Sequence, residues 1–436
     1  MVRCKLFSIF LFSLFFFHSS AQQVDAGNGH AIILDKKGGV WTVGRNNFGQ
    51  IGDGSFSNHP VPYKVKGLPG IASISRGYDH SLAIDKDGNV WAWGRNNYGQ
   101  LGSTLVLDYN TPQKLTYPSQ VVAVEGGHWH TVALKNDGTV WAWGHNFYGE
   151  LGNNSREHSQ YPVGVLVKSE NGEFKALDNI VQIASVGYHT LAISKNGDVY
   201  SWGGNDFGEL GHSNGVIQPY AKKIDGLSNI KQVAVGWHHS VALDVNGKVW
   251  VWGSDPASQI RESTIQKFDK ITQLKNIPVI KSIACGSWHS LATDINGEVW
   301  AWGKNHFGML GKGDTVSTRY PVKIESLKDI TCIGGGCFQS LAIDKNDNIW
   351  TFGDNPSGQQ GVDSYDRTLK PLKMLLNAGG KLAPTAVLVE KKIIRAQEEN
   401  IDWSIPIKIG KYGLFILSLL LNVWLFRKMR VKNMQA

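Results

Sequence analysis

Histidines stand at His30, His80, His130, His189, His239 and His289, with Gln339 in a seventh place, at intervals of 50, 50, 59, 50, 50 and 50 residues. Neutral imidazole is a common metal ligand and general base, so this series is the first candidate for chemistry. Ligands of one tetrahedral metal site must converge on a point. One histidine per repeat spreads around a ring instead. We therefore expect the series to serve local hydrogen bonding, with no metal and no catalytic role. Asp85, Asp244, Asp294 and Asp344 follow at a fixed offset and read as turn residues. The chain shows no nucleophile elbow, phosphate loop, His-Glu-x-x-His or paired-carboxylate pattern. No cofactor and no enzymatic activity are expected.

Binding is expected where the repeats differ, because loops on a rigid scaffold carry it. The two residues before each histidine position are Asn28-Gly29, Tyr78-Asp79, His128-Trp129, Gly187-Tyr188, Trp237-His238, Ser287-Trp288 and Cys337-Phe338. Tyr78, Asp79, His128, Trp129, Tyr188, Trp237, His238, Trp288 and Phe338 are the candidate partner-binding residues. Aromatics with a polar edge are common interface anchors. A second set, Phe48, Tyr98, Tyr148, Phe207 and Phe307, recurs regularly and is expected in the core.

The elements that position these residues follow from the same period. A second marker, Trp41, Trp91, Trp141, Tyr200, Trp250, Trp300 and Trp350, keeps the same intervals. A period of this length decides the fold. Each unit has a short apolar run after the histidine. It then has a hairpin dipeptide such as Asp87-Gly88 or Asn246-Gly247, a second run ending in Trp-Gly, and a proline-containing extended segment such as Val61-Pro62-Tyr63. Asn-Gly and Asp-Gly supply the positive φ angles of two-residue hairpins. Proline suits an edge strand. About four strands per unit, seven units and no helical periodicity predict an all-β, seven-bladed propeller over residues 22–375. The strand near Gln22–Ala26 and the one near Pro371–Leu375 are the candidates to close the ring. The nine extra residues before His189 are expected to form a hairpin around Asn171-Gly172. Most of the 16 tryptophans sit at repeat positions and report a core.

The string Gly-x-x-His-Ser-Leu-Ala-Leu/Ile-x-x-x-Gly-x-Val-Trp-x-Trp-Gly-x-Asn-x-x-Gly-Gln-Leu-Gly resembles the repeat of the regulator of chromosome condensation family, itself a seven-bladed propeller. The resemblance covers roughly residues 24 to 375. It departs from the pattern at Val186, at Ser254–Ile260 and at Gln339. The family includes nuclear exchange factors for a small GTPase. It also includes secreted bacterial proteins that inhibit β-lactamases through aromatic-rich loops.

The ends decide which precedent is nearer. Arg3 and Lys5 precede an apolar run over 6–17, and Ser19-Ser20-Ala21 suits signal cleavage before Gln22, giving a signal peptide over 1–21. Residues 412–426 are apolar apart from Ser418 and Asn422 and read as a transmembrane helix. It follows a stalk over 376–411 and precedes a basic tail over 427–436 with Arg427, Lys428, Arg430 and Lys432. The positive-inside rule then places the tail in the cytoplasm and the propeller outside it, at a cell surface or in a periplasm. Such a location separates the chain from a nuclear GTPase. The net charge of +8 is spread thinly, so nucleic acid is not expected. The expected function is a membrane-tethered interaction scaffold for a partner protein, with carbohydrate binding as the alternative. Cys285, Cys332 and Cys337 leave at most one disulfide open.

Overall fold

The computed structural model describes residues 22–103, 105–212, 217–254, 267–374 and 376. They belong to the compact unit Met1–Lys381. The expected signal peptide, transmembrane helix and basic tail, and all of the stalk but Leu376, lie outside the described residues. Among the described residues no helix is long and apolar enough to cross a membrane.

Seven antiparallel sheets follow one another in chain order, six four-stranded and one six-stranded. The second is representative: Ile71–Arg76, His80–Asp85, Val90–Gly94 and Tyr109–Lys114, paired in sequence order. The first strands of successive sheets contact one another and return from the seventh, Ile330–Gly335, to the first, Gln23–Ala26. They therefore surround the axis of a closed seven-bladed propeller. The hairpin register pairs His80 with Gly94 at one face and Ile84 with Val90 at the other. The histidine ends of all seven blades thus share one face and the hairpin tips share the opposite one.

The extra residues before His189 form the expected hairpin, Leu166–Lys168 with Phe174–Ala176. It joins the edge of blade four in parallel through Val167 and Ala221. Both expected terminal segments take part in ring closure: Gln23–Ala26 lies against the inner strands of blade seven, and Val24 and Met374 share one apolar cluster. Gln23–Ala26 pairs only with His30–Leu34, and Thr368–Met374 only with Ile349–Gly353, so no strand completes the other terminus's blade. Each terminal unit already holds four strands, and closure is by packing of one sheet on another.

A repeated latch binds each of blades two to six to the next, whereas the His30 ring of blade one makes no hydrogen bond within the described protein. Nε2 of His80, His189, His239 and His289 lies 3.2, 2.9, 3.0 and 2.8 Å from the hydroxyl of Thr131, Ser240, Ser290 and Ser340 in the following blade. His130 reaches Ser185 Oγ instead, at 3.0 Å. Thr131 donates onward to the Gln100 carbonyl at 2.8 Å, and Trp143 Nε1 donates to the same oxygen at 2.9 Å. The Glu209 carbonyl likewise accepts from Ser240 and Trp252, and Gln50 from Ser81 and Trp93. A hydroxyl that donates to a carbonyl accepts from Nε2–H, which fixes the Nε2–H tautomer of the neutral imidazole. Burial holds the histidines neutral, pushing His80, His239 and His289 down to about 3. The turn aspartates behave as expected. Asp85 accepts from the backbone N–H of Asp87 and Asn89 and from Trp91 Nε1, at 2.9–3.0 Å.

The seam between blades seven and one lacks every part of the latch. Gln339 replaces histidine, Ala31 the hydroxyl and Val43 the indole. An apolar cluster of Val24, Ile33, Val43, Leu341, Ile343 and Met374 fills it. The Cys337 N–H donates to the Gly27 carbonyl at 3.2 Å, continuing a circle of backbone bonds between blades. The Gln339 amide finds no hydrogen-bond partner within the described protein. Combining Ala31→Ser with Gln339→His should therefore install the missing latch and raise the free energy of unfolding by about 1 kcal/mol. Neither single change should do so. Urea denaturation of the four proteins checks this, and additive effects would deny the coupling.

Candidate interaction face

Every sequence-predicted site residue lies on the histidine face, one or two positions before the second strand of its blade. Backbone bonds between neighbouring blades fix the inner circle. The N–H of Asn28 donates to Tyr78, Tyr78 to Gly127, His128 to Gly187, Trp237 to Ser287 and Ser287 to Gly336, at 2.9–3.1 Å. The strands thereby set six side chains and Gly187 around the mouth of the axis.

Tyr78, His128 and Trp237 meet over that mouth. Their ring centroids are 4.1 Å apart for Tyr78–His128, 5.4 Å for His128–Trp237 and 5.9 Å for Tyr78–Trp237. Beneath them a shallow depression is lined by Arg76, Ser287 and Cys337. Trp129 packs on His128 at 4.1 Å, Tyr188 on His128 at 4.9 Å, and Trp288 on Trp237 at 5.3 Å. The result is one aromatic band from blade two to blade six. Tyr78, Trp129, Tyr188, Trp237, His238, Trp288 and Phe338 are half-buried, whereas His128 and Asp79 are buried. Phe338 pairs with Phe307 at 5.3 Å. Blade one, with Asn28-Gly29, contributes no ring. Burial pushes the Tyr78 phenol up to about 12 and the His128 imidazole down to about 3, so both are neutral here.

The second aromatic set is not core. Phe48, Tyr98, Tyr148, Phe207 and Phe307 are half-buried, and each lies against the next blade. Tyr98 meets Trp129 at 5.2 Å, Tyr148 meets Tyr188 at 4.9 Å and Phe207 meets His238 at 4.3 Å. Their regularity reflects a repeated contact between blades.

A third set escaped the sequence reading. The residue after each Trp-Gly or equivalent is Arg45, Arg95, His145, Gly204, Ser254, Lys304 or Asp354. In every blade its N–H donates to the carbonyl of the residue just before the histidine position. The signal was available, since this position also varies inside a constant string. Asp79, 2 % exposed, lies 3.5 Å from Arg45 and 3.2 Å from Arg95. Burial raises its carboxyl pKa, against the opposing pull of both guanidiniums. Arg95 also stacks over Phe48 at 4.5 Å. His145 Nδ1 lies 2.7 Å from the buried Glu150 carboxylate, and Lys304 stands 5.0 Å over Trp288. The rim thus holds partly accessible Arg45, Arg95 and Lys304, with Asp79 and Glu150 covered and Asp354 half-buried.

No group of histidine, cysteine, aspartate and glutamate suited to a metal occurs among the described residues. Cys285, Cys332 and Cys337 are free thiols.

With fold and face in hand, the class is a seven-bladed propeller with inter-blade histidine latches. Residues 103–400, more than half of the chain, match the RCC1-like domain. Residues 21–50 and 71–100, and separately 37–84, match the Regulator of chromosome condensation (RCC1) repeat. The chain belongs to this family. Among solved structures it is similar to human WBSCR16, with TM-score 0.66, 23% identity, and coverage of 79% of this chain and 96% of that one. It is also similar to Prp20p of Saccharomyces cerevisiae, with TM-score 0.68, 22% identity, and coverage of 88% and 96%. Identities this low show the fold alone. Among curated proteins, human alsin is 48% identical over 42 residues, 9% of this chain. A kinase and ubiquitin ligase of Dictyostelium discoideum is 51% identical over 35 residues, 8% of this chain. These matches span about 2% of either relative's length.

The axis below the band carries a second charged cluster. Arg76 Nη2 donates to the Gly335 carbonyl at 2.7 Å, and its Nε lies 3.2 Å from Asp25. Ser75 donates to Glu125 at 3.2 Å. Burial, followed by the charge of Asp25, pushes the Glu125 carboxyl from 4.5 up to about 8. Between those values the native chain holds a proton that the unfolded chain has released. The native state then binds more protons, so this group's contribution to stability falls as pH rises through the window. Glu125→Gln should flatten that part of the pH dependence. Urea midpoints at the two ends of the window check it, and an unchanged slope would rule Glu125 out as the source.

Proposed function

We propose that this chain is an extracytoplasmic, membrane-tethered scaffold that binds a partner protein through the histidine face of its propeller. The observation that carries the reading is the continuous aromatic band, built from positions that vary while the blade framework stays constant. Half-buried Tyr and Trp offer large contact area at low conformational cost. Trp129 Nε1 and Trp237 Nε1 find no acceptor within the described protein, unlike the core indoles. Prp20, a propeller of the same fold, has been studied with Kap60, with Gsp1p and with histones. A protein-binding role here is supported by that fold and by the band.

The tether rests on the sequence at both ends: the basic and apolar start before Ser19-Ser20-Ala21, and the apolar stretch 412–426 before four basic residues. An extracytoplasmic propeller would not meet a nuclear GTPase, so exchange activity is not transferred. The reading assigns no catalysis. A partner surface suits the band better than a sugar platform. Stacking on a sugar needs an open ring face, and Trp129, Trp237 and Trp288 each hold a neighbouring ring within 4.1–5.3 Å.

Cross-linked capture from envelope extract, run beside a glycan array, separates the two ligand classes. Trp129→Ala and Trp237→Ala should each weaken capture of the same partner by about 2 kcal/mol or more, near thirtyfold. Capture that survives both changes in a folded protein would remove this face from the function. N-terminal sequencing of the mature chain should begin at Gln22.

A further inference from the structure

The face opposite the aromatic band has its own asymmetry. Each hairpin tip presents one exposed residue after the turn position: Lys36, Lys86, Asn136, Lys195, Val245, Ile295 and Lys345. Four are lysines, but blades five and six carry bare aliphatic side chains. Val245 is 58% exposed and Ile295 66%. Between them lies Val279, 52% exposed. The Ile295 N–H donates to the Val279 carbonyl at 3.3 Å, and the Val279 side chain closes on Gly247 of the same tip as Val245. The three form a contiguous apolar prow. Its flanks are the exposed Lys231 and Lys281, each in the second position of an inner strand.

Charge on this face is mixed, and the exposed Asp178 and Asp225 join no ion pair among the described residues. Asp347 and Asp329 pair with Lys36 and Lys345, Asp198 with Lys223, Glu298 with Lys323, and Asp137 with Lys135. Asp85, Asp244, Asp294 and Asp344 are held by turn N–H groups. Asp87 stands beside Lys86. Lys86, Lys195, Lys231 and Lys281 make no ion pair among the described residues. Exposed aliphatics flanked by Lys231 and Lys281, which make no ion pair among the described residues, fit an anionic lipid surface, where the chains enter the headgroup region and the ammonium groups meet phosphates.

The path of the chain points the same way. Met374 pairs with Ile349, at the tip end of blade seven, so the described chain leaves the propeller on this face. Residues 376–411 lead from there to the apolar stretch 412–426. Fully extended, they could span on the order of 100 Å, so a tether of that length would not press the propeller on a bilayer. We propose that the hairpin-tip face docks on an anionic bilayer, with Val245, Val279 and Ile295 at the contact and the aromatic band turned away from it. This rests on the tethered reading above.

The test reconstitutes the full chain in vesicles of phosphatidylcholine alone or mixed with phosphatidylglycerol. An environment-sensitive fluorophore is placed through Asn246→Cys at a tip, or through Asn47→Cys on the opposite face, with the unsubstituted chain as the labelling control. Alkaline carbonate extraction is run on the same samples. The expected result is an unextractable chain whose tip probe shifts to the blue in mixed vesicles, with no shift for the Asn47→Cys probe. Val245→Asp with Ile295→Asp should abolish the shift, as should Lys231→Glu with Lys281→Glu. An unextractable chain with no tip shift, or with equal shifts at both faces, overturns docking while leaving the tether standing. A tip shift in detergent that grows with protein concentration identifies a second copy as the occupant and also overturns it. An extractable chain removes the tether, and the docking proposal with it.

Discussion

At three blade junctions a single carbonyl oxygen gathers the contacts that hold neighbouring blades together. At Gln50, Gln100 and Glu209 it accepts both an indole N–H and a hydroxyl from the following blade. At Gln100 and Glu209 that hydroxyl also lies within hydrogen-bond distance of a neutral histidine of the blade before. Each group has its partners only when two blades are docked in register. An isolated blade would leave a buried hydroxyl, imidazole and indole unsatisfied, which costs far more than each bond gains. The histidine series is therefore an assembly device. It stays neutral because burial removes the water that would stabilise imidazolium.

The seam shows what the ring does without that device. Gln339, Ala31 and Val43 replace all three latch residues, and apolar packing takes over with Arg76 spanning Asp25 and Gly335. The terminal blades meet as complete four-stranded sheets, so no hydrogen-bonded strand bridges the ends. The axial charges concentrate on blades one to three. Further round, the matching inner-strand positions are Ala184, Ala234 and Ala284. The same framework carries two unlike faces. One gathers rings and partly accessible cations, and the other carries exposed lysines beside exposed aliphatics that include Val245, Val279 and Ile295.

Much of the fold was legible in the chain. Two markers with one spacing gave the blade count, and hairpin dipeptides placed the tips. The candidate residues Tyr78, His128, Trp129, Tyr188, Trp237, His238 and Trp288 do come together in one band. Asp79 shares their face but lies beneath it, between Arg45 and Arg95. Two readings failed for the same physical reason. Phe48 and its equivalents looked like core because they repeat, and Arg45, Arg95, His145 and Lys304 were overlooked because they sit inside a constant string. Both sets touch the neighbouring blade, and periodicity along one chain carries no record of what lies across a junction.

The sequence by itself determined the seven-fold repeat, the strand and turn chemistry of each blade and the positions that vary. Those features are local: hairpin glycines, strand alternation and turn aspartates act within a few residues. Tertiary structure decided how the ring closes, which repeated aromatics are buried and which face each variable position joins. Those depend on contacts between residues about fifty positions apart or at opposite ends of the chain, and only the closed ring brings them together.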